Sequence, residues 1–246
     1  AVNIEITGNI TFAKADIIKE AGNSGTKTYN IVDSAAAIAA GIGADVATIN
    51  GATVLEADTA ANKAEANTIG GINKAIVYNI SDTGANVASI NSVALNKAVN
   101  ITMTGTALVS EAVTVDNATN SGSNTYSITD SATNIAASSN VLLTKAGIVI
   151  ANTQATGTEA TVLGGYVKAV QFSITDSAIN IVTADSSALS EAINITVNNT
   201  ATVAQATIID IRTNSGSNTY SITDSAENLA ASSHVFLNKA TTVTAN

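Results

Sequence analysis

One short motif returns five times along the chain at an almost constant spacing. Each copy has the form Tyr/Phe-x-Ile-x-Asp, and the five aspartates are separated by 49, 48, 46 and 48 residues. A fixed period of 20 to 50 residues is typical of stacked repeats, in which each unit buries its apolar side chains against its neighbours. The copies begin at Tyr29, Tyr78, Tyr126, Phe172 and Tyr220.

A second, weaker motif lies roughly midway between the copies of the first. Its best examples, "VNIEITGNITFAKA", "VNITMTGTALVSEA" and "INITVNNTATVAQA", begin at Val2, Val99 and Ile193. The alternation predicts a physical unit of about 24 residues, which we call a coil, so that two coils make one repeat. Segments such as "SIT" and "NITV" predict short strands, because β-branched residues favour strands. Segments such as "NSGSN" and "TGT" predict turns.

The sequence therefore predicts a mainly β fold. We expect a β-solenoid, a parallel β-helix-like stack of ~24-residue coils with short helical turns at the corners, and a single domain over residues 1–246 with about five double coils. The segment that follows each motif aspartate, Asp-Ser/Thr-x-x-x-Ile/Leu/Val, predicts one helical turn whose first amides the aspartate accepts. The identical segment "TNSGSNTYSITDSA" at residues 119–132 and 213–226 indicates a recent duplication.

Composition excludes several classes of function. The chain has 46% hydrophobic residues, enough for a core, but only 12% charged residues and a net charge of −9. An acidic, weakly charged surface repels phosphate backbones, so no nucleic-acid partner is expected. No segment approaches the ~20 apolar residues of a membrane helix, so no membrane insertion is expected. The chain has no cysteine, which excludes disulfides and thiolate metal sites.

The two motifs together resemble the repeats of very large secreted bacterial surface proteins. The resemblance lies in the pattern Asp-Ser/Thr-Ala-x-Asn-Ile/Leu/Val-Ala and in the "TVAQA"-like segments between its copies. Some proteins with such repeats resemble type I secretion substrates, and others resemble adhesins or surface-layer components. The resemblance implies an extracellular or cell-surface location. No glycine-aspartate nonapeptides of the calcium-binding toxin type accompany it.

The sequence contains little that predicts catalysis or a cofactor. The single histidine, His234, stands where the sister repeat has Asn140, which indicates an ordinary polar position. We therefore expect no enzyme and no cofactor. The repeated aspartates are more simply explained as helix caps, with calcium as the weaker alternative; the calcium candidates are Asp82, Asp130, Asp176 and Asp224. The row formed by Asn86, Asn134, Asn180 and Asn228 predicts an internal hydrogen-bond ladder.

Both ends of the sequence fall inside a coil of the second type. "LNKATTVTAN" at the C-terminal end aligns with "LNKAVNITMTG", which begins at Leu95, and so starts a coil without finishing it. One hypothesis is that a second copy completes this coil head to tail, so that deletion of residues 241–246 abolishes assembly. The other is that the sequence belongs to a longer array. The residues expected at the contact are Val2, Ile4, Ile6, Thr241 and Val243.

The function predicted from these features is structural. We expect a secreted, non-enzymatic subunit of an extracellular filament or surface layer, whose partner is a second copy of itself. The alternative is a repeat segment of a large bacterial adhesin. Threonine-rich strands leave ice binding or polysaccharide binding as less favoured alternatives.

Overall fold

The computed structural model describes residues 2–246 and shows a mixed α/β protein. It is 41% helical and 25% strand, with 15 helices and four small all-parallel sheets in the described residues. The prediction of a mainly β solenoid is therefore wrong. The alanine-rich segments after each motif form helices longer than the single corner turn that was expected. The reason is that alanine has the highest helix propensity and each segment begins with a capping Ser or Thr.

The strands are short, at two to seven residues each. They are β1 Ile4–Ile10, β2 Lys27–Asp33, β3 Ala52–Ala57, β4 Ile80–Thr83, β5 Ile101–Thr104, β6 Asn124–Thr125, β7 Ile128–Asp130, β8 Val149–Ala151, β9 Val170–Gln171, β10 Ile174–Asp176, β11 Ile195–Ala201, β12 Asn218–Asp224 and β13 Val243–Ala245.

The α-helices are also short, and a 3-10 helix covers Val46–Gly51. The α-helices are α1 Phe12–Glu20, α2 Ala35–Ala44, α3 Lys63–Gly70, α4 Gly84–Ala88, α5 Ser92–Lys97, α6 Val109–Asp116, α7 Ala132–Ala136, α8 Asn140–Lys145, α9 Gly157–Gly164, α10 Ala178–Thr183, α11 Ser186–Glu191, α12 Val203–Asp210, α13 Ala226–Ala231 and α14 His234–Leu237.

A segment that we call a half-repeat consists of one strand, or of two short successive strands in the pairs β6–β7 and β9–β10, together with the helix or helices that follow. First-type half-repeats carry the aspartate motif, and most of them have two helices, such as α10 and α11. Second-type half-repeats carry the other motif and one helix, such as α12 after β11. The second helix of the first type was missed because segments such as "SSALSE" (residues 186–191) have no strong apolar periodicity.

The chain divides into two compact units, one ending at Tyr126 and the other beginning at Ser127. The first unit contains the sheets β1-β2-β3 and β4-β5-β6, and the second contains β7-β8-β9 and β10-β11-β12-β13. Every pairing is parallel and joins residues 21 to 24 positions apart. The prediction of one continuous array over residues 1–246 stays a prediction.

The core of each unit is built from small and β-branched side chains, as the composition indicates. The isoleucine of the first-type strand is almost fully buried in every copy, and so is the motif Tyr or Phe two residues before it. These isoleucines are Ile31, Ile80, Ile128, Ile174 and Ile222. None of the helices between residues 2 and 246 is long and apolar enough to cross a membrane.

Candidate functional site

The repeated aspartates join neighbouring half-repeats through backbone amides. Asp176 ends β10, and its Oδ2 accepts the N–H of Gly157, the first residue of α9 in the preceding half-repeat, at 3.0 Å. Its Oδ1 accepts the N–H of Ser177 at 2.7 Å and the side-chain amide of Asn180 at 2.9 Å. The N-cap of the following helix is Ser177 rather than the aspartate. The aspartate thus satisfies a free helix amide of the neighbouring half-repeat.

The same arrangement recurs at the other copies of the motif. Asp33, Asp82 and Asp224 each accept the N–H of the first residue of the preceding second-type helix at 2.9 to 3.0 Å. Asp130 accepts the N–H of the next serine at 2.7 Å and the amide of Asn134 at 2.8 Å. Equivalent positions in the sequence therefore have equivalent surroundings within each unit.

These hydrogen bonds lower the pKa of three of the aspartates. Burial raises the pKa of Asp82 and Asp176, but the amide of the asparagine four residues later and two backbone amides outweigh it, and the net pKa is lowered. At Asp224, the side-chain amide of Asn228 is the largest cause of the lowered pKa. All three carboxylates are therefore ionised at neutral pH and act as acceptors.

The structure does not gather the calcium candidates into one cluster. Among residues 2–246, the group of three acidic residues that comes within metal-binding range is instead Asp16, Glu20 and Asp45. The ammonium group of Lys19 contacts all three of these carboxylates, at 2.8 Å for Glu20, and so supplies a cation to them. Calcium binding stays a prediction at the four motif residues Asp82, Asp130, Asp176 and Asp224.

The predicted asparagine ladder is found at a different position in the repeat. The motif asparagines donate to the aspartate of their own half-repeat, four residues away, so they do not connect half-repeats. A ladder instead runs from Asn79 to Asn100 to Ser123, since Asn79 Oδ1 accepts the N–H of Asn100 at 3.1 Å and Asn100 Oδ1 accepts that of Ser123 at 2.9 Å. Recurrence of "VNI" and "INI" before the second-type strands was the signal in the sequence.

The repeated "NSG" turn is also an inter-repeat contact. The N–H of Gly122 donates to the Val99 carbonyl at 2.8 Å, and that of Gly216 donates to the Ile193 carbonyl at 2.7 Å. A Cβ on either glycine would overlap that carbonyl oxygen and the side chain of the next asparagine. The turn therefore needs glycine because the preceding half-repeat lies against it. This requirement explains why the "NSG" segment is repeated in the chain.

Strand β1, which contains part of the predicted assembly surface, lies at the outer edge of its sheet. It pairs with β2 on one side, and no strand of the described chain pairs with its other side. Ile4 and Ile6 are only half-buried, whereas Ile195 and Val197 at the equivalent positions of β11 are 0% and 8% exposed. Val2 is 71% exposed. Each residue is thus more exposed than its interior equivalent.

Strand β13, which contains the other part of that surface, lies at the outer edge of the last sheet. It pairs with β12 through Ile222 and Val243, and its far side is unpaired within the described chain. Val243 is 42% exposed, whereas Ile101 at the equivalent position of β5 is fully buried. Thr241 is exposed. Three of the five predicted assembly residues, Ile4, Ile6 and Val243, are therefore located on the edge strands β1 and β13, and Val2 and Thr241 lie directly before those strands.

Helix α13 lies next to the same edge and is uncovered. None of its residues is buried, whereas α10, at the equivalent position, buries Ala178 and Ile181. Helix α10 packs against α12 of the following half-repeat, but residues 241–246 provide no such helix for α13. The result is an uncovered edge formed by β13 and α13.

His234, the candidate that we considered for catalysis, lies at the start of α14 and is exposed. It is not part of the metal-range acidic group described above.

Comparison with known proteins finds no family model, no curated protein and no solved structure that matches the chain. The resemblance to bacterial surface-protein repeats therefore depends on the motif residues alone.

Proposed function

We propose that this chain is a non-enzymatic structural protein of the bacterial cell surface or extracellular space, and that its copies join head to tail. In this assembly, β1 of one copy pairs in parallel with the C-terminal edge of the next. The partner is thus a second copy of the chain. The resemblance of the motifs supports the extracellular location.

The observation that carries the proposal is the equivalence of the two edge strands β1 and β13. β1 and β13 occupy the same position in the repeat, and each has one edge that no described strand pairs with. An unpaired strand edge is a ready template for pairing with another chain. A contact between two different surfaces of the same protein propagates, because each added copy presents a new free edge.

The use of the motif carboxylates supports a structural rather than a catalytic function. Asp176 and its equivalents accept backbone amides in every copy, and four of the five also accept the side-chain amide of an asparagine four residues later, which stabilises the contact between half-repeats. Groups that are repeated in equal surroundings are explained by a requirement of the repeat. We therefore assign them no role in chemistry.

A proline variant tests the proposed contact without disturbing the subunit. At the β11 position equivalent to Ile4, the N–H of Ile195 donates to the following half-repeat, and Ile4 likewise donates to Thr26 at 2.9 Å. Because neighbours alternate along a strand, the N–H of Glu5 faces the free edge of β1. Glu5→Pro removes that donor, and Glu5→Thr is the matched control because Thr stands at the equivalent positions 102 and 196.

The readout is sedimentation and negative-stain electron microscopy of the purified chain over a range of concentrations. We expect polymers of the wild type and of Glu5→Thr, and loss of polymers in Glu5→Pro with an unchanged urea unfolding midpoint. Monomers of the wild type at every concentration would overturn the proposal. They would favour the alternative, a repeat segment of a longer adhesin whose further half-repeats pair with the same edges.

A further inference from the structure

We infer that the C-terminal end of helix α9 and the carboxylate of Glu191 form a cation-binding site, and that Ca²⁺ is the ion that fits it. The site lies inside the second unit, in half-repeats that have a described neighbour on both sides. The observation behind it is a reversal of charge at one position of the repeat. It goes beyond the proposed assembly and does not depend on it.

Lysine is the usual residue at this position, which is fifteen residues after the motif aspartate. In the first-type half-repeats with two α-helices, the residues are Lys97, Lys145, Glu191 and Lys239. The Nζ of Lys97 donates to the carbonyls of Gly70 and Ile72, at the end of α3, at 2.8 and 2.7 Å. The Nζ of Lys239 contacts the carboxylate of Asp210, the last residue of α12, at 2.9 Å. In these two copies, a cation therefore lies at the negative end of the preceding helix.

Helix α9 matches α3 in the way that it ends. Residues 70–78, "GGINKAIVY", and residues 164–172, "GGYVKAVQF", align without a gap and are 94 residues apart. The carbonyls of Gly164 and Tyr166 therefore stand where the two acceptors of Lys97 stand in α3. In residues 2–246, no donor reaches either of these two carbonyls.

The carboxylate of Glu191 lies against this end of α9. Its Oε2 is 3.3 Å from the point at which a Cβ on Gly164 would lie. The side chain is exposed and has no hydrogen bond or ion pair within the described chain. The lysine that follows α9, Lys168, donates instead to the carbonyl of Gly147 at 2.7 Å. A carboxylate and the carbonyls at a helix end repel each other, and a cation between them removes this repulsion.

A pocket beside Glu191 contains further oxygen atoms. It has a volume of about 480 Å³, and its lining residues are Ala169, Val170, Gln171, Glu191, Ile193 and Ser215. Gln171 stands where the matched copy has Val77, so an amide oxygen accompanies the exchange of lysine for glutamate. Ser215 adds a hydroxyl group. Both exchanges relative to the matched copy thus add an oxygen-bearing group to the same pocket.

The kinds of oxygen at this site favour Ca²⁺. It offers a carboxylate, an amide, a hydroxyl and backbone carbonyls, which are the ligands that Ca²⁺ takes in flexible arrangements, with water at the remaining positions. Mg²⁺ demands a regular octahedron at shorter distances. Transition metals prefer imidazole or thiolate, and neither is present among the described lining residues. With one carboxylate, we expect a Kd on the order of 1 mM, as in weak extracellular calcium modules.

A bound ion would join two neighbouring half-repeats. Helix α11, which ends at Glu191, packs against α9 of the preceding half-repeat. In the matched copy, Lys97 makes the equivalent connection between α5 and α3 without an ion. Calcium should therefore stabilise the second unit and leave the first unit unaffected.

NMR titration of the purified chain with CaCl₂ is the direct test, because it measures weak binding. We expect saturable shifts at residues 164–166 and at Glu191. Glu191→Gln keeps the shape of the side chain and should weaken binding by about ten-fold or more, since it removes the carboxylate. Asp45→Asn is the control, because it alters the separate acidic group around Lys19 and should leave the Kd unchanged.

Exchange of the two residues provides the second measurement. Glu191→Lys restores the residue of the other copies, so it should raise the Tm in EDTA and abolish the response to Ca²⁺. The double variant Val77→Gln/Lys97→Glu transfers the site to the first unit and should bind one additional Ca²⁺. A glutamate that is merely exposed would not give this gain of binding.

Three results would overturn the inference. The first is no saturable shift in the wild type at up to about 10 mM Ca²⁺, well above the expected Kd. The second is binding by Glu191→Gln that is as tight as that of the wild type. The third, equal affinity for Mg²⁺, would overturn the choice of Ca²⁺. Each measurement uses the monomeric chain, so a failure of the proposed assembly would not change its outcome.

Discussion

Residues 127–146 and 221–240 have nearly the same sequence but different surroundings. They differ at five positions, and both form a strand, a serine-capped helix and a second short helix. In the first copy, Ile135 and Leu143 are fully buried. In the second copy, no residue of either helix is buried. Local sequence thus determines the elements, whereas burial depends on whether another half-repeat follows.

The largest expected effect is a difference in stability loss between equivalent helix positions of the two copies. Ile135→Ala should lower the free energy of unfolding by about 2 to 5 kcal/mol, because it leaves a cavity in a fully buried site. Leu229→Ala at the equivalent position should cost less than about half as much, since Leu229 is only half-buried. Urea unfolding of the monomeric proteins, followed by circular dichroism, measures both. Equal losses would show that α13 is covered after all.

Substitution of the turn glycine that precedes each copy should lower stability equally in both copies. Both glycines contact the preceding half-repeat, which is present in each case. Gly122→Ala and Gly216→Ala should each cost about 1 to 3 kcal/mol, since the added Cβ overlaps backbone of the preceding half-repeat. Gly22→Ala is the control, because nothing lies within 4 Å of a Cβ there. A harmless Gly216→Ala next to a destabilising Gly122→Ala would contradict the shared geometry. Thermal unfolding of the three variants decides.

Acid pH should weaken the contacts between half-repeats. The pKa values of Asp176 and Asp224 are lowered in the folded protein, so they contribute stability above the ordinary carboxyl value of 3.8 and lose it as pH falls below that value. Asn180→Ala removes a donor to Asp176 and should cost up to about 1 kcal/mol at pH 7. The difference from wild type should shrink towards pH 3, and Asn228→Ala is the outer counterpart. A pH-independent difference would contradict the carboxylate's role.

The smallest effect concerns an aromatic contact present only in the outer copy. Phe236 lies with its ring centre 6.0 Å from that of Tyr220, and leucine stands at the equivalent position 142. Phe236→Leu should lower stability by about 0.5 kcal/mol, because Phe236 is only half-buried. The reverse change, Leu142→Phe, should cost more, since Leu142 is 2% exposed and has no room. Calorimetric melting of both variants provides the comparison.

Sequence reasoning misjudged the class of fold, and assembly at the residues it named stays a prediction. It placed Val2, Ile4, Ile6, Thr241 and Val243 in the outermost coils, and the structure has them on β1 or β13 or directly beside them. It underestimated the helices, because a segment such as "ATNIA" is too short to show a helical period. It also assigned each aspartate to the helix that follows it. In the structure, the Oδ2 of Asp176 accepts the N–H of Gly157, 19 residues earlier.

The sequence by itself determined the period, the alternation of two half-repeat types, the serine caps and the glycine turns. These features depend on propensities and contacts within a few residues, which repeat wherever the letters repeat. Only the tertiary structure decided which carboxylate meets which helix and which isoleucine or leucine is buried. Those outcomes depend on the strand 21 to 24 residues away, and at β1 and β13 that neighbour is missing on one side within the described chain.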